Sequence, residues 1–219
     1  MGYIGSKPAD KVLTGDNIAD GVVSVAKLTS TLDLSSNTVT LPSGVGGSLV
    51  KLSTATATGS EATIEFNVFS DSYDAYKIVG SNIIPTTNDR SLECRFLNTS
   101  DSVISAALKI MKTEGRTGGT PATTMTGSDN ATDLSPSMTS TANLDCGFVM
   151  DVMGARQTGY TNIVFQGVNI WASGTTEIIA TDIQGTLFDT SVLNGIQFVW
   201  NSSGNFASGS EFVIYGYGK

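Results

Sequence analysis

From residue 49 onward, apolar side chains recur at every second position in short runs, and the runs are separated by Gly, Asn, Asp, Ser and Thr. That spacing is the period of a half-buried strand, whose successive side chains point to opposite faces. It predicts strands near 49–56, 61–68, 76–84, 91–97, 103–111, 147–152, 162–171, 177–186, 195–200 and 211–217. In three of these the buried face is explicit. Ile64, Phe66 and Val68, then Leu92, Cys94 and Phe96, then Ile196, Phe198 and Trp200 fall on the inward side, with Glu65, Glu93, Arg95 and Gln197 outward. Eight to ten strands in one domain fit an all-β, jelly-roll-like antiparallel β-sandwich better than a seven-stranded immunoglobulin-type sandwich. A segment of about 170 residues buries roughly 70% of its unfolded surface, enough for one self-sufficient core.

Two stretches break this texture. Residues 1–48 are polar, punctuated by Gly and short of large side chains, with small aliphatic clusters at Val22, Val23, Val25 and Leu28. Fixing a residue costs on the order of 1–2 kcal/mol of backbone entropy, and this segment has no core of its own to offset that. It is expected to be an extended N-terminal arm, loose or held by other chains, with room for one short helix within 14–28 capped by Asp or Ser. The second stretch, 112–143, opens with Thr113-Glu114-Gly115-Arg116-Thr117-Gly118-Gly119 and continues rich in Ser and Thr. It is expected to be a long loop, and unstructured loops above roughly 15 residues are usually functional, partner-bound or mobile.

Composition narrows the chemistry. The 219 residues include no His, which closes Ser-His-Asp, Cys-His and most zinc sites to a single chain. Lys and Arg number 12 against 20 Asp and Glu, a net charge of −8 that repels a phosphate backbone, so no nucleic-acid partner is expected. No stretch reaches the roughly 18 apolar residues of a membrane helix, and residues 1–10 lack the plan of a signal peptide. The chain therefore reads as made in the cytoplasm and not inserted in a membrane. Cys94 and Cys146 lie in alternating segments and read as reduced core cysteines.

The remaining candidates have weak signals. Asp71 and Asp74 offer two carboxylates for a hard cation or a sugar, but Ser70-Asp71-Ser72 is the residue chemistry of an Asx-type turn. Asp129, Asn130 and Asp133 lack the Gly and closing Glu of a calcium loop, and 115–119 has no Walker lysine. Glycosylation sequons begin at Asn98, Asn130 and Asn201 and read as turn residues, since no secretion signal accompanies them. Trp171, Trp200, Tyr73, Tyr76, Tyr160, Tyr215 and Tyr217 read as core or subunit interface before sugar platforms. Nowhere do a nucleophile, a base and an oxyanion donor assemble, so no catalytic residue, metal or cofactor is expected.

Met1-Gly2-Tyr3-Ile4-Gly5-Ser6-Lys7-Pro8, followed by Leu13-Thr14-Gly15-Asp16-Asn17-Ile18-Ala19-Asp20-Gly21-Val22-Val23 and Ala26-Lys27-Leu28, resembles the amino-terminal attachment segments of virion structural proteins, often called tail fibres, of marine tailed bacteriophages. The body adds Phe69-Ser70-Asp71-Ser72-Tyr73-Asp74-Ala75-Tyr76-Lys77-Ile78, Asn82-Ile83-Ile84-Pro85, and the run from Leu92 to Phe96. Leu193-Asn194-Gly195-Ile196-Gln197-Phe198, Ser203-Gly204-Asn205-Phe206-Ala207-Ser208-Gly209 and Val213-Ile214-Tyr215-Gly216 complete the series. That order is similar to a β-sandwich module of such phage proteins. The resemblance implies a virion component, a homotrimer and assembly on the particle surface, and it supplies no catalytic residues. It departs from many fibres in having one arm and one head without a long repetitive shaft.

The leading expectation is thus a non-enzymatic virion protein. Its arm would grip other virion proteins through Tyr3, Ile4, Val12, Leu13, Ile18, Val22, Val23, Val25 and Leu28. Its head, residues 49–219, would meet host-surface glycan or protein through Arg116, Thr117, Asp129 and Asn130. The second expectation is a capsid decoration, or cement, protein that stabilises the shell by binding only its assembled form. The third is a small depolymerase of surface polysaccharide working through paired carboxylates.

Overall fold

Strict alternation of apolar and polar residues yields strands wherever one face can be buried, and the computed structural model carries twelve of them among its described residues. It describes residues 49–106, 108–128, 132–141, 145–173 and 175–218. The strands are β1 Leu49–Thr56, β2 Thr63–Phe66, β3 Tyr73–Ile83, β4 Leu92–Asn98, β5 Leu108–Arg116, β6 Ala122–Ser128, β7 Thr132–Asp133, β8 Cys146–Met153, β9 Thr161–Ser173, β10 Thr175–Leu187, β11 Leu193–Trp200 and β12 Glu211–Gly218. No helix among the described residues is long and apolar enough to cross a membrane. The nine proposed attachment residues lie outside the described residues.

All pairings are antiparallel and form two sheets, an eight-stranded one ordered β1-β12-β3-β8-β9-β10-β5-β6 and a four-stranded one ordered β2-β11-β4-β7. The first four strands of the large sheet, together with the small sheet, make a jelly roll of eight strands. Within that jelly roll, five direct connections (β1 to β2, β2 to β3, β3 to β4, β7 to β8 and β11 to β12) cross between the sheets. The other four strands enter as two hairpins. β5–β6 is inserted between β4 and β7, β9–β10 between β8 and β11, and the two join each other where Ile183 pairs with Lys112. Both hairpins add to the same side of the same sheet, doubling its width.

The sheets share one core, and aromatic rings bridge them. Phe198 of β11 lies 5.8 Å from Phe148 of β8 and 5.0 Å from Phe212 of β12, ring centre to ring centre. Phe206 packs 4.9 Å from Trp200 and edge-on to Phe212. Such ring pairs contribute about 0.5–1.5 kcal/mol beyond their area burial. The inward residues anticipated from alternation behave accordingly: Ile64, Phe66, Leu92, Cys94, Phe96, Ile196, Phe198 and Trp200 are buried, and Val68 packs against them. Cys94 and Cys146 are free, buried thiols.

Two expectations need correction. The strand expected at 103–111 begins at Leu108; Val103 makes a single bridge to Leu97, and the Ile104 amide donates to the Phe96 carbonyl at 2.9 Å. The stretch 112–143 is not one long loop, because it contains the second half of β5, all of β6 and the short β7. Its strands escape the apolar pattern for a physical reason. The inward positions of β5 beyond Ile110 are Lys112, Glu114 and Arg116, which satisfy one another by ion pairs in place of apolar burial.

Candidate interaction surfaces

The outward face of the large sheet is the most unusual surface of the head. Ten large apolar side chains are conspicuously exposed among the described residues, and none of them lies on the four-stranded sheet. Leu49 and Val50 belong to β1; Val149 and Met153 to β8; Val168, Ile178, Met111 and Met125 to the inserted strands β9, β10, β5 and β6. Tyr160 and Phe188 flank β9 and β10 and stack on each other at 5.1 Å. Alternation explains the outward direction of several, since Val149 follows the buried Phe148, Met111 follows the buried Ile110 and Ile178 precedes the buried Ile179, whereas Val50, next to the outward Leu49, is exposed on the opposite side of the edge strand β1.

Register brings these residues into rows across the strands. One row runs Val79, Val149, Gln166, Asp182, Thr113, and the next runs Gly147, Val168, Ala180, Gly115. The small side chains of the second row leave a shallow trough of about 630 Å³ floored by Gly147, Ala180 and Gly115 and walled by Val149 and Val168. A Cβ added at Gly115 would meet nothing within 4 Å. Beneath the floor, Gly80 leaves room for the Phe148 ring and Gly167 for the Phe165 ring, each of which a Cβ at that position would crowd.

The charged side chains of this face include one ion pair and one cation–π contact. Lys77 Nζ lies 2.8 Å from Asp151 Oδ1, which also accepts a hydrogen bond from the Tyr217 hydroxyl at 3.0 Å. Lys109 sits 4.7 Å above the Phe188 ring, a cation–π arrangement.

A second cluster lies where the β5–β6 hairpin meets the small sheet. Glu114 bridges Lys112 at 2.8 Å and Arg116 at 3.2 Å. Burial opposes its charge, yet the hydrogen bonds and charges of those two partners prevail and hold its carboxyl below the ordinary range. Glu93 stands directly opposite Asp133 in the β4–β7 pair and contacts Arg95 at 3.1 Å. Burial pushes both Glu93 and Asp133 above the ordinary carboxylate range. Lys112 also donates to the Asp133 carbonyl at 3.5 Å, which ties the hairpin to β7. The chemistry is that of a fastening: every charge in it faces an opposite charge or a carboxyl partner.

The proposed contact residues separate. Arg116 ends β5 within that fastening, and Thr117 begins the exposed hairpin turn. Thr117 is tied to β10, for its amide donates to the Ile178 carbonyl at 3.1 Å and its Oγ1 accepts from the Ile178 amide at the same distance. Asp129 and Asn130 lie outside the described residues. Asp71 meets Arg156 at 3.0 Å in the turn between β2 and β3, and Asp74 is exposed near the start of β3. Asn98 accepts from the amides of Ser100 and Ser102, and Asn201 from that of Ser91, as turn residues do.

Aromatic placement also divides. Tyr76 is fully buried, and its hydroxyl exchanges hydrogen bonds with both the amide and the carbonyl of Ser70. Trp200 is buried, whereas Tyr160 is exposed and Tyr215 and Tyr217 line the outward face of β12 partly covered. Sequence reasoning missed the apolar outward face as a unit, although the residues between the core positions of β8, β9 and β10 spell it out as Val149, Val168 and Ile178. No family model, no curated protein and no solved structure matches this chain.

Proposed function

We propose that this chain is a non-enzymatic structural protein of a bacteriophage virion, anchored by residues 1–48 and presenting the jelly-roll head as a homotrimer for attachment to the host. One observation carries the reading: a single chain joins an opening that resembles virion attachment segments to a body that resembles a phage β-sandwich module. The mechanism is adhesion. Weak contacts between each head and host-surface glycan or protein gain from avidity, because tethered copies rebind at high effective concentration. The exposed turn after β5, beginning at Thr117, is the candidate contact, with the Glu114 fastening holding its base.

A second reading keeps the fold and changes the task. A capsid decoration protein would use the same arm to tie neighbouring shell subunits, with the head on the shell surface, and would stabilise the assembled form. Quantitative mass spectrometry and electron cryomicroscopy of purified particles separate the two. A few copies at the tail, with adsorption falling on removal of residues 1–45, support attachment. Hundreds over the shell, with heat release of DNA at lower temperature in their absence, support decoration. Absence from particles overturns both.

A further inference from the structure

We infer that the outward face of the eight-stranded sheet, centred on Val149, Val168 and Ile178, is where a second copy of this chain docks. The inference deepens the proposed function and rests on its self-association, though not on attachment of the head to a host or on the position of the protein in a particle.

The first ground is the distribution of apolar surface. Monomeric proteins seldom leave contiguous apolar patches beyond a few hundred Å² open to water. Here the exposed large apolar side chains gather on one sheet and avoid the other. The inserted hairpins supply four of them, Val168, Ile178, Met111 and Met125, the last 82% exposed.

The second ground is charge. A chain of net charge −8 repels its own copies, so self-association needs a surface that does not carry that excess. The charged residues at outward positions of the eight strands are Lys51, Lys77, Lys109, Asp151, Asp182 and Glu211, three of each sign. They cancel. The outward residues of the small sheet, by contrast, include Glu65, Glu93 and Asp133 against Arg95.

The third ground is size. Eight strands at about 4.8 Å spacing span about 34 Å, and eight residues at about 3.3 Å span about 26 Å. The product, somewhat above 800 Å², is about one partner's share of a stable interface of standard size. A four-stranded face of the same length offers less than half of that. Small residues at Gly147, Ala180 and Gly115 let a partner surface approach closely, the use that glycine within a strand often serves.

The test uses the full chain. Sedimentation measures its mass, and a photo-crosslinking residue at position 168 reports what touches the face, with the same residue at Gln197 on the outward side of β11 as control. The expected result is an oligomer, covalent capture of a second copy from position 168 and none from 197, with Val168→Arg reducing capture from a crosslinker at Ile178 at least tenfold. An oligomer that gives no copy-to-copy capture from 168 or 178 overturns the assignment of the face while leaving self-association standing. A monomer at high concentration overturns both. Capture of a glycan or of a different virion protein from position 168, with no second copy, also overturns the assignment.

Discussion

Phe198 is the side chain whose loss should separate the two sheets. It is fully buried on β11, in the small sheet, and its ring contacts Phe148 and Phe212, both from the large sheet. Phe198→Ala therefore removes apolar burial and leaves a cavity walled by rings that cannot collapse, since Phe148 is seated on Gly80 and Phe212 is held edge-on by Phe206. Phe→Ala changes in such sites cost about 3–5 kcal/mol. In a domain of this size each kcal/mol shifts the thermal midpoint by about 2–4 °C, so the expected fall is about 6–20 °C.

Urea unfolding followed by tryptophan fluorescence reads the loss directly, because Trp200 is buried 4.9 Å from Phe206 in the same cluster. The denaturant midpoint should fall with the slope unchanged, as expected when the native state loses stability without changing its compactness. Phe198→Leu, which keeps most of the apolar contact, should cost roughly half as much. Met125→Ala, on an exposed strand, should stay within about 0.5 kcal/mol. A Phe198→Ala cost below about 1 kcal/mol at unchanged slope would refute the account of Phe198 as the bridge between sheets.

Three further outcomes follow from single sites. Gly195→Ala places a Cβ against the Phe66 carbonyl oxygen, a backbone atom that cannot rotate away, so a loss of about 1–3 kcal/mol is expected, whereas Gly115→Ala meets nothing and should be nearly neutral. Burial pushes the Cys94 and Cys146 thiols up to about 12, so a disulfide-exchange reagent at pH 8 should label them at the rate of unfolding; immediate labelling of the native chain would sink this. Glu61 accepts hydrogen bonds from the hydroxyl and amide of Thr58 and the amides of Gly59 and Ser60, which lower its carboxyl from 4.5 to about 2. Because the folded value is depressed, its stabilisation is present above the ordinary value and lost as pH falls through about 2. The urea midpoints of wild type and Glu61→Gln should thus differ at pH 5–8 and converge between about pH 4.5 and pH 2.

How much of this was legible depends on whether a strand has one apolar face. β4 and β11 were placed within two residues at either end because Leu92-Cys94-Phe96 and Ile196-Phe198-Trp200 alternate with polar residues and meet the same core. β6 was missed because Ala122, Thr123, Thr124 and Met125 are all exposed, so no burial difference writes a pattern into the sequence. The β-propensity of its threonines was the available signal. The second half of β5 was missed because charge pairing replaces apolar contact at its inward positions. The fastening itself joins Glu93, Lys112 and Asp133, which alternation on separate strands cannot bring together; the register of β4 with β7 does that.

The same insertions that hid from the pattern account for the surface that matters most. An eight-stranded jelly roll divided evenly has an outward face four strands wide, about 14 Å at the spacing of paired strands. Adding β9–β10 and β5–β6 to one sheet extends that face to eight strands, but the small sheet opposite remains at four. The added strands must therefore be covered in another way. On their inner side the Lys112–Glu114–Arg116 ladder satisfies its own charges, and Ile110, Ile163, Phe165 and Ile183 are buried in the shared core. On their outer side Val168, Ile178, Met111 and Met125 have no layer of the described chain above them. An extension closed below and apolar above is half of a packed layer, and a second copy laying its own charge-balanced face there would complete it.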